Sequence, residues 1–141
     1  MAKVFNRAVT TAALAACIAA LTPGAIALAG YQEGGYTGVT EQSEAIAFRV
    51  ANDRVKKLTA VVYAECQDGT RQRITVENGR TKVEQGRFTL ELEGESKLSV
   101  SVSAKLRDNQ SAGRIKAAVF AAGGTLCEVD TRWQATLDAA P

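Results

Sequence analysis

The chain has 141 residues, a formal net charge of +2, three cysteines and no histidine. Without histidine there is no Ser/His/Asp triad, no Cys/His pair and no histidine-ligated zinc or copper. Of the 17 basic residues, Lys3 and Arg7 lie in an acid-free N-terminal segment, so fifteen remain from Gly30 on against fifteen acids; this balance argues against nucleic acid or anionic membrane as a partner.

Residues 1–29 read as a signal peptide. Lys3 and Arg7 precede an apolar run from Ala8 to Leu21, Pro23-Gly24 breaks it, and Ala27-Leu28-Ala29 gives the small-x-small pattern of signal peptidase cleavage between Ala29 and Gly30. Leu14-Ala15-Ala16-Cys17 also resembles a bacterial lipobox. The mostly apolar stretch Ile18–Ala29 that follows is unlike a polar lipoprotein tether and favours the soluble product. The expected mature chain, Gly30–Pro141, is one domain with an ordered core over about 34–138, with no transmembrane segment and expected to be a monomer.

From Gly30 onward the pattern has a period of two. Tyr36–Thr40 reads as a short strand after the glycine-rich start, and Ile46, Phe48 and Val50 form the inward face of a second strand. Asn52-Asp53 supplies a two-residue turn into a third, Val55–Cys66, whose inward face is Leu58, Ala60, Val62, Ala64 and Cys66. After an Asp68-Gly69 turn, Gln72–Val76 gives a short fourth strand with Ile74 and Val76 inward. Glu77–Gly86 then loses the alternation and reads as a solvated loop or weak edge strand. Phe88, Leu90 and Leu92 define the next strand. Leu98, Val100, Val102, Ala104 and Leu106 define another, with Lys97, Ser99, Ser101, Ser103, Lys105 and Arg107 outward. Asp108-Asn109 turns into a strand carrying Gly113, Ile115, Ala117, Val119 and Ala121 inward, and Arg114, Lys116, Ala118 and Phe120 outward. The last strand holds Cys127, Val129, Trp133, Ala135 and Leu137 on one parity. The expectation is an all-β fold: an antiparallel meander of seven to eight strands closed into a flattened barrel or a two-sheet sandwich.

Several short motifs follow one another along the mature chain: Gly34-Gly35-Tyr36-Thr37-Gly38-Val39-Thr40-Glu41-Gln42, Ile46-Ala47-Phe48-Arg49-Val50, Cys66, Gly86-Arg87-Phe88, Ala112-Gly113-Arg114-Ile115, and Cys127 with Trp133-Gln134-Ala135. The order resembles that of small secreted β-domains common in actinobacteria, with the pattern G-x-Y-x-G-x-T-x-Q, I-x-F-x-V, a cysteine, G-R-F, A-S-G-T-L, and C…W-x-A. The resemblance implies a fold and an extracytoplasmic compartment and brings no catalytic residues. Ala112-Gly113-Arg114 departs from it by lacking the serine, and the segment from Cys127 to Trp133 is shorter and lacks a glycine.

Cys66 and Cys127, both inward, are expected to form a structural disulfide. Closing a loop of about sixty residues is worth ~4 kcal/mol by loop-closure entropy. Glu91, Glu93 and Glu95 fall on one outward stripe with neighbours about 7 Å apart, within the range glycosidases use, but an exposed strand gives no burial to raise a carboxyl pKa. The simpler reading is an acidic stripe beside the basic outward face of the next strand (Lys97, Lys105, Arg107). Asn109-Gln110-Ser111 matches a glycosylation sequon that a turn asparagine also explains.

Ser99, Ser101 and Ser103 form a hydroxyl ladder suited to a flat polysaccharide or another ordered surface, and Tyr63 and Phe120 are outward aromatics. These five are the candidate surface-binding residues. Trp133 shares the parity of Cys127 and reads as core. The leading functional expectation is a secreted, non-catalytic binding or interaction domain of the bacterial envelope or exterior, with no cofactor and no metal. Its partner is an envelope component or a protein. The alternatives are a small barrel carrying an apolar ligand among Ala60, Ala64, Ala104 and Ala117, and a hydrolase built on Glu91 and Glu93.

Overall fold

Period-two alternation becomes eight antiparallel strands: β1 (Gly34–Thr40), β2 (Ala45–Ala51), β3 (Arg54–Cys66), β4 (Arg71–Lys82), β5 (Arg87–Glu93), β6 (Ser99–Arg107), β7 (Gln110–Phe120) and β8 (Leu126–Leu137). The computed structural model describes residues 30–138. The segment read as a signal peptide, with Cys17 and Ala29, lies outside the described residues. The strands hydrogen-bond in the order β4-β3-β2-β1-β8-β7-β6-β5, with an additional pairing of β3 to β8. This is an up-and-down meander whose first and last strands meet, and the β3–β8 contact closes β3, β2, β1 and β8 into a small barrel. The other strands extend its walls.

Hairpin chemistry sets the connections as the residues suggest. Asn52 and Asp53 both adopt positive φ (54° and 58°), the backbone that a two-residue hairpin with the twist of its flanking strands requires. At the next turn Asp68 accepts hydrogen bonds from the Thr70 amide and hydroxyl, which holds its carboxyl below the usual aspartate range.

One open reading is resolved and two expectations are corrected. β4 runs on to Lys82 at the edge of the sheet, so of the two readings of Glu77–Gly86, solvated loop or weak edge strand, the second describes most of it. Its alternation is hidden because Asn78 takes a positive φ and the register against β3 shifts between Leu58 and Ala60, a bulge that resets parity. Gly79 is buried there, and a Cβ would lie 2.4 Å from Leu90 Cδ2. The first correction is that Glu95 leaves the acidic stripe, since β5 stops at Glu93 and Glu95–Lys97 form a single 3-10 turn. The second is that antiparallel pairing sets Glu91 and Glu93 opposite Ser101 and Ser99. The acids therefore stand at the end of β6 away from Lys105 and Arg107.

The interior is an aromatic cluster joining the two walls. Tyr36 of β1 stacks on Phe48 of β2 at 5.2 Å. The same Phe48 meets Phe88 of β5 edge-on at 5.5 Å and Trp133 of β8 at 5.7 Å. The Tyr36 hydroxyl donates to the Gln32 carbonyl at 2.6 Å. Trp133 Nε1 is the one buried side-chain polar atom without a hydrogen-bond partner among the described residues. Ala60, Ala64, Ala104 and Ala117 are buried in the same core cluster as these rings. Close strand approach explains two of the small inward residues. A Cβ on Gly38 would lie 1.8 Å from the Gln134 carbonyl oxygen, and one on Gly113 1.8 Å from that of Ser103, so β1 and β7 coil past their neighbours only because these positions lack side chains.

Cys66 and Cys127 stand directly opposite each other where β3 meets β8, and they form the disulfide. Gln42 builds the rest of that corner. Beyond the first residue of β2, its side-chain amide takes a ladder position on β3, accepting from the Tyr63 amide at 2.9 Å and donating to the Tyr63 carbonyl at 2.8 Å. The buried Thr40 shapes the turn that aims Gln42, its hydroxyl oxygen accepting from the Gln42 and Glu44 amides. Gly38, Thr40 and Gln42, three residues of the spaced glycine-tyrosine-threonine-glutamine motif, thus serve the closure of the fold.

Candidate functional site

Successive outward side chains of β5, β6, β7 and β8 line up in rows across the strands, because directly paired residues point to the same side. The register makes the rows explicit: Glu93, Ser99, Ala118 and Glu128; then Glu91, Ser101, Lys116 and Asp130; then Thr89, Ser103, Arg114 and Arg132; then Arg87, Lys105, Ala112 and Gln134. Short side chains occupy much of the middle, on β6 and β7, while long charged ones stand on the flanking strands. The outcome is a trough along the outer face with serines and alanines in its floor.

Two hollows make up most of this trough. The first, of 520 Å³, is lined by Glu91, Glu93, Glu128 and Asp130, with Ser99 and Ser101 in its floor and Lys116 as its one cation. The second, of 540 Å³, is lined by Arg87, Lys105, Arg114 and Arg132, with Ser103, Ala112 and Gly113 beneath, and has no carboxylate in its lining. Charge is therefore segregated along the trough, acidic at one end and basic at the other.

Of the four cations at the basic end, only Arg114 has an ion-pair partner among the described residues. Arg87 pairs directly with Lys105, and Arg114 directly with Arg132; like charges in this relation repel. Arg114 reaches Asp130 at 3.3 Å, the only ion pair among the described residues, and an exposed pair of this kind contributes little. The nearby Glu41 carboxylate accepts the Arg132 backbone amide at 3.0 Å.

Four of the five sequence-selected candidates share this face. Ser99, Ser101 and Ser103 run down the centre of the trough. Phe120, 38% exposed, continues the outward column of β7 past Ala118. Lys97 Nζ lies 5.8 Å from its ring centroid, and the two border a 270 Å³ hollow with Ser96, Ala121 and Gly124. Tyr63 stands apart on β3. Arg71 covers its ring at 4.7 Å, and its backbone is engaged by Gln42. Glu91 and Glu93 are both exposed.

Sequence reasoning missed Arg87, Arg114 and Arg132. Outward parity was readable for Arg114 in its strand. What made these residues a group is cross-strand register, which joins positions up to 45 residues apart.

Among the described residues, no helix is long and apolar enough to cross a membrane. No protein-family model, no curated protein and no solved structure matches the chain.

Proposed function

We propose that this chain is an exported, soluble, non-catalytic domain that binds an extended, hydroxyl-rich polymer of the bacterial envelope through the outer face of β5–β8. The observation that carries the reading is the trough floored by Ser99, Ser101 and Ser103 and continued by Phe120. A groove with small residues in its floor lets a flat chain approach the sheet. Hydroxyls and carboxylates along it match sugar hydroxyls, which both donate and accept. The disulfide supports an oxidising compartment and agrees with the signal peptide read in residues 1–29. Kinship with the secreted actinobacterial β-domains is part of this proposal, supported by the structural work that Gly38, Thr40 and Gln42 do at one corner. The aromatic cluster in the interior favours a surface site over an enclosed apolar ligand.

The test is co-sedimentation with insoluble envelope polysaccharide. Ser101→Tyr, which fills the trough, and Phe120→Ala are expected to lower capture at least about tenfold, equivalent to about 1.4 kcal/mol. Both should melt within about 2 °C of the parent, since neither side chain belongs to the core. Tyr63→Ala, on the covered surface of β3, should leave capture intact. Unchanged capture by both trough variants sinks the proposal.

A further inference from the structure

Like charges oppose each other singly elsewhere in the sheet, as at Arg49–Lys56 and Arg54–Lys82, but the basic end of the trough gathers two such pairs. Arg87 with Lys105 and Arg114 with Arg132 sit in adjacent rows around one hollow. Each pair costs stability through repulsion between side chains on neighbouring strands. A sequence free to optimise stability would place a carboxylate in one partner of each pair. Fifteen acidic side chains are available in the domain, yet none lines this hollow. Local violations of an otherwise consistent design concentrate where a ligand supplies the missing partner.

We propose that this hollow binds the anionic group of an acidic sugar: a phosphate ester, sulfate ester or carboxylate held between Arg87, Lys105, Arg114 and Arg132, with the Ser103 hydroxyl in the floor. The proposal rests on the reading of the outer face as a glycan site and specifies its ligand class. Guanidinium groups present paired N–H donors to planar or tetrahedral oxyanions, and charge-assisted hydrogen bonds of this kind are the stronger ones. Arg87, Lys105 and Arg132 have no ion-pair partner among the described residues, so the exposed Arg114–Asp130 pair is the one internal salt bridge an anion competes with. Ser103 and Ala112 between them are short, which leaves room for the anion to sit among the cations.

The acidic end selects the rest of the ligand. Rows of a sheet on one face lie about 7 Å apart, so the carboxylates of Glu91, Glu93, Glu128 and Asp130 begin within one sugar unit of the anion site. They repel a second anion and accept hydrogen bonds from neutral hydroxyls. The trough therefore suits a chain in which one acidic unit adjoins neutral ones, and it disfavours a uniformly charged polymer. Because basic and acidic residues balance from Gly30 on, the net charge supplies no general attraction for anions; binding reports the hollow itself.

The experiment is an amide NMR titration of the protein with glucose 6-phosphate, glucose 6-sulfate and glucuronate. Neutral glucose and sodium chloride at matched ionic strength are the controls. Saturable shifts are expected at Ser103, Ala112, Gly113 and Arg114 for at least one anion, and the anion that saturates lowest names the group. Arg87→Gln combined with Arg132→Gln should weaken binding at least about tenfold, since two charge-assisted contacts are lost. It should also raise the melting temperature by about 1–2 °C, as the repulsion is removed. Arg71→Gln combined with Arg73→Gln on β4 makes the same change of charge elsewhere and should leave binding unchanged. The inference is overturned if no anion gives saturable shifts, if neutral glucose or chloride reproduces them, or if the β4 variant weakens binding as much. A double variant that both melts earlier and binds less would assign the cations to the fold and overturn it too. If envelope capture responds to Ser101→Tyr while the anions fail here, only the ligand class falls. If the anions bind but capture ignores Ser101→Tyr, the extended-trough reading falls and the anion site stands.

Discussion

The outer surface of β3 and its neighbours differs from that of β5–β8 in how its polar groups are spent. Around β3, Gln42 occupies both backbone groups of Tyr63, Arg71 covers the Tyr63 ring, and the Tyr31 hydroxyl at the head of β1 donates to Asp53 at 2.6 Å. On β5–β8, hydroxyls line an open trough and cations face cations. The first surface has partners built in around Tyr63 and Tyr31, although Arg49–Lys56 and Arg54–Lys82 oppose like charges there as well. The second leaves such partners to be supplied from outside. The difference separates residues that hold the fold from residues free to bind, a separation that exposure alone does not make: Tyr63 and Ser101 are both half-buried and both outward.

The largest effect should come from the corner where the two regions join. Replacing Cys66 and Cys127 together by alanine, or reducing the disulfide, is expected to cost about 4 kcal/mol, the closure entropy of a loop with sequence separation 61. Thermal melts with and without reductant should then differ by about 15 °C. A loss below about 1 kcal/mol would mean that the β3–β8 ladder and Gln42 hold the corner without covalent help.

A smaller effect contrasts the two surfaces directly. Gln42→Ala strands the Tyr63 amide and carbonyl at a part-buried position and should cost about 2 kcal/mol in urea unfolding. Ser101→Ala, on a hydroxyl with no built-in partner, should stay within about 0.5 kcal/mol. Equal costs for the two would erase the distinction between the surfaces.

The smallest effect is confined to alkaline pH. Partial burial, the hydrogen bond to Asp53 and the nearby Asp53 and Glu33 charges push the Tyr31 phenol up to about 12. Its folded pKa lies above the ordinary value of 10, so the folded state holds the proton more tightly. The associated stability is fully present below pH 10 and is lost as pH rises from 10 through 12. Burial shifts Tyr36 in the same direction. Phenolate absorbance should show Tyr31 ionising near 12, and Tyr31→Phe should flatten part of the stability loss above pH 10. A Tyr31 titration at 10 would show that its contact with Asp53 is not kept in solution.

Strand content was legible because burial on one face of a sheet is a local signal. Leu98 to Leu106 and Cys127 to Leu137 alternate within a few residues, and the inward parity of Cys66, Cys127 and Trp133 follows from their neighbours alone. The signal failed where a bulge changed parity, as at Lys57, whose φ is 54° and which lets both Val55 and Leu58 point inward, and at Asn78-Gly79, where β4 runs on past a break in the alternation. The acidic stripe was legible as exposed residues, but its partners were not.

Composition and alternation thus decided the fold class, the inward cysteines and the outward serines, since each depends on residues close in the chain. Tertiary structure decided which outward residues share a row, that β3 crosses to β8 at the disulfide, and that four cations surround one hollow. Those facts depend on register between strands, which is set by bulges, turns and packing across the core rather than by any single segment.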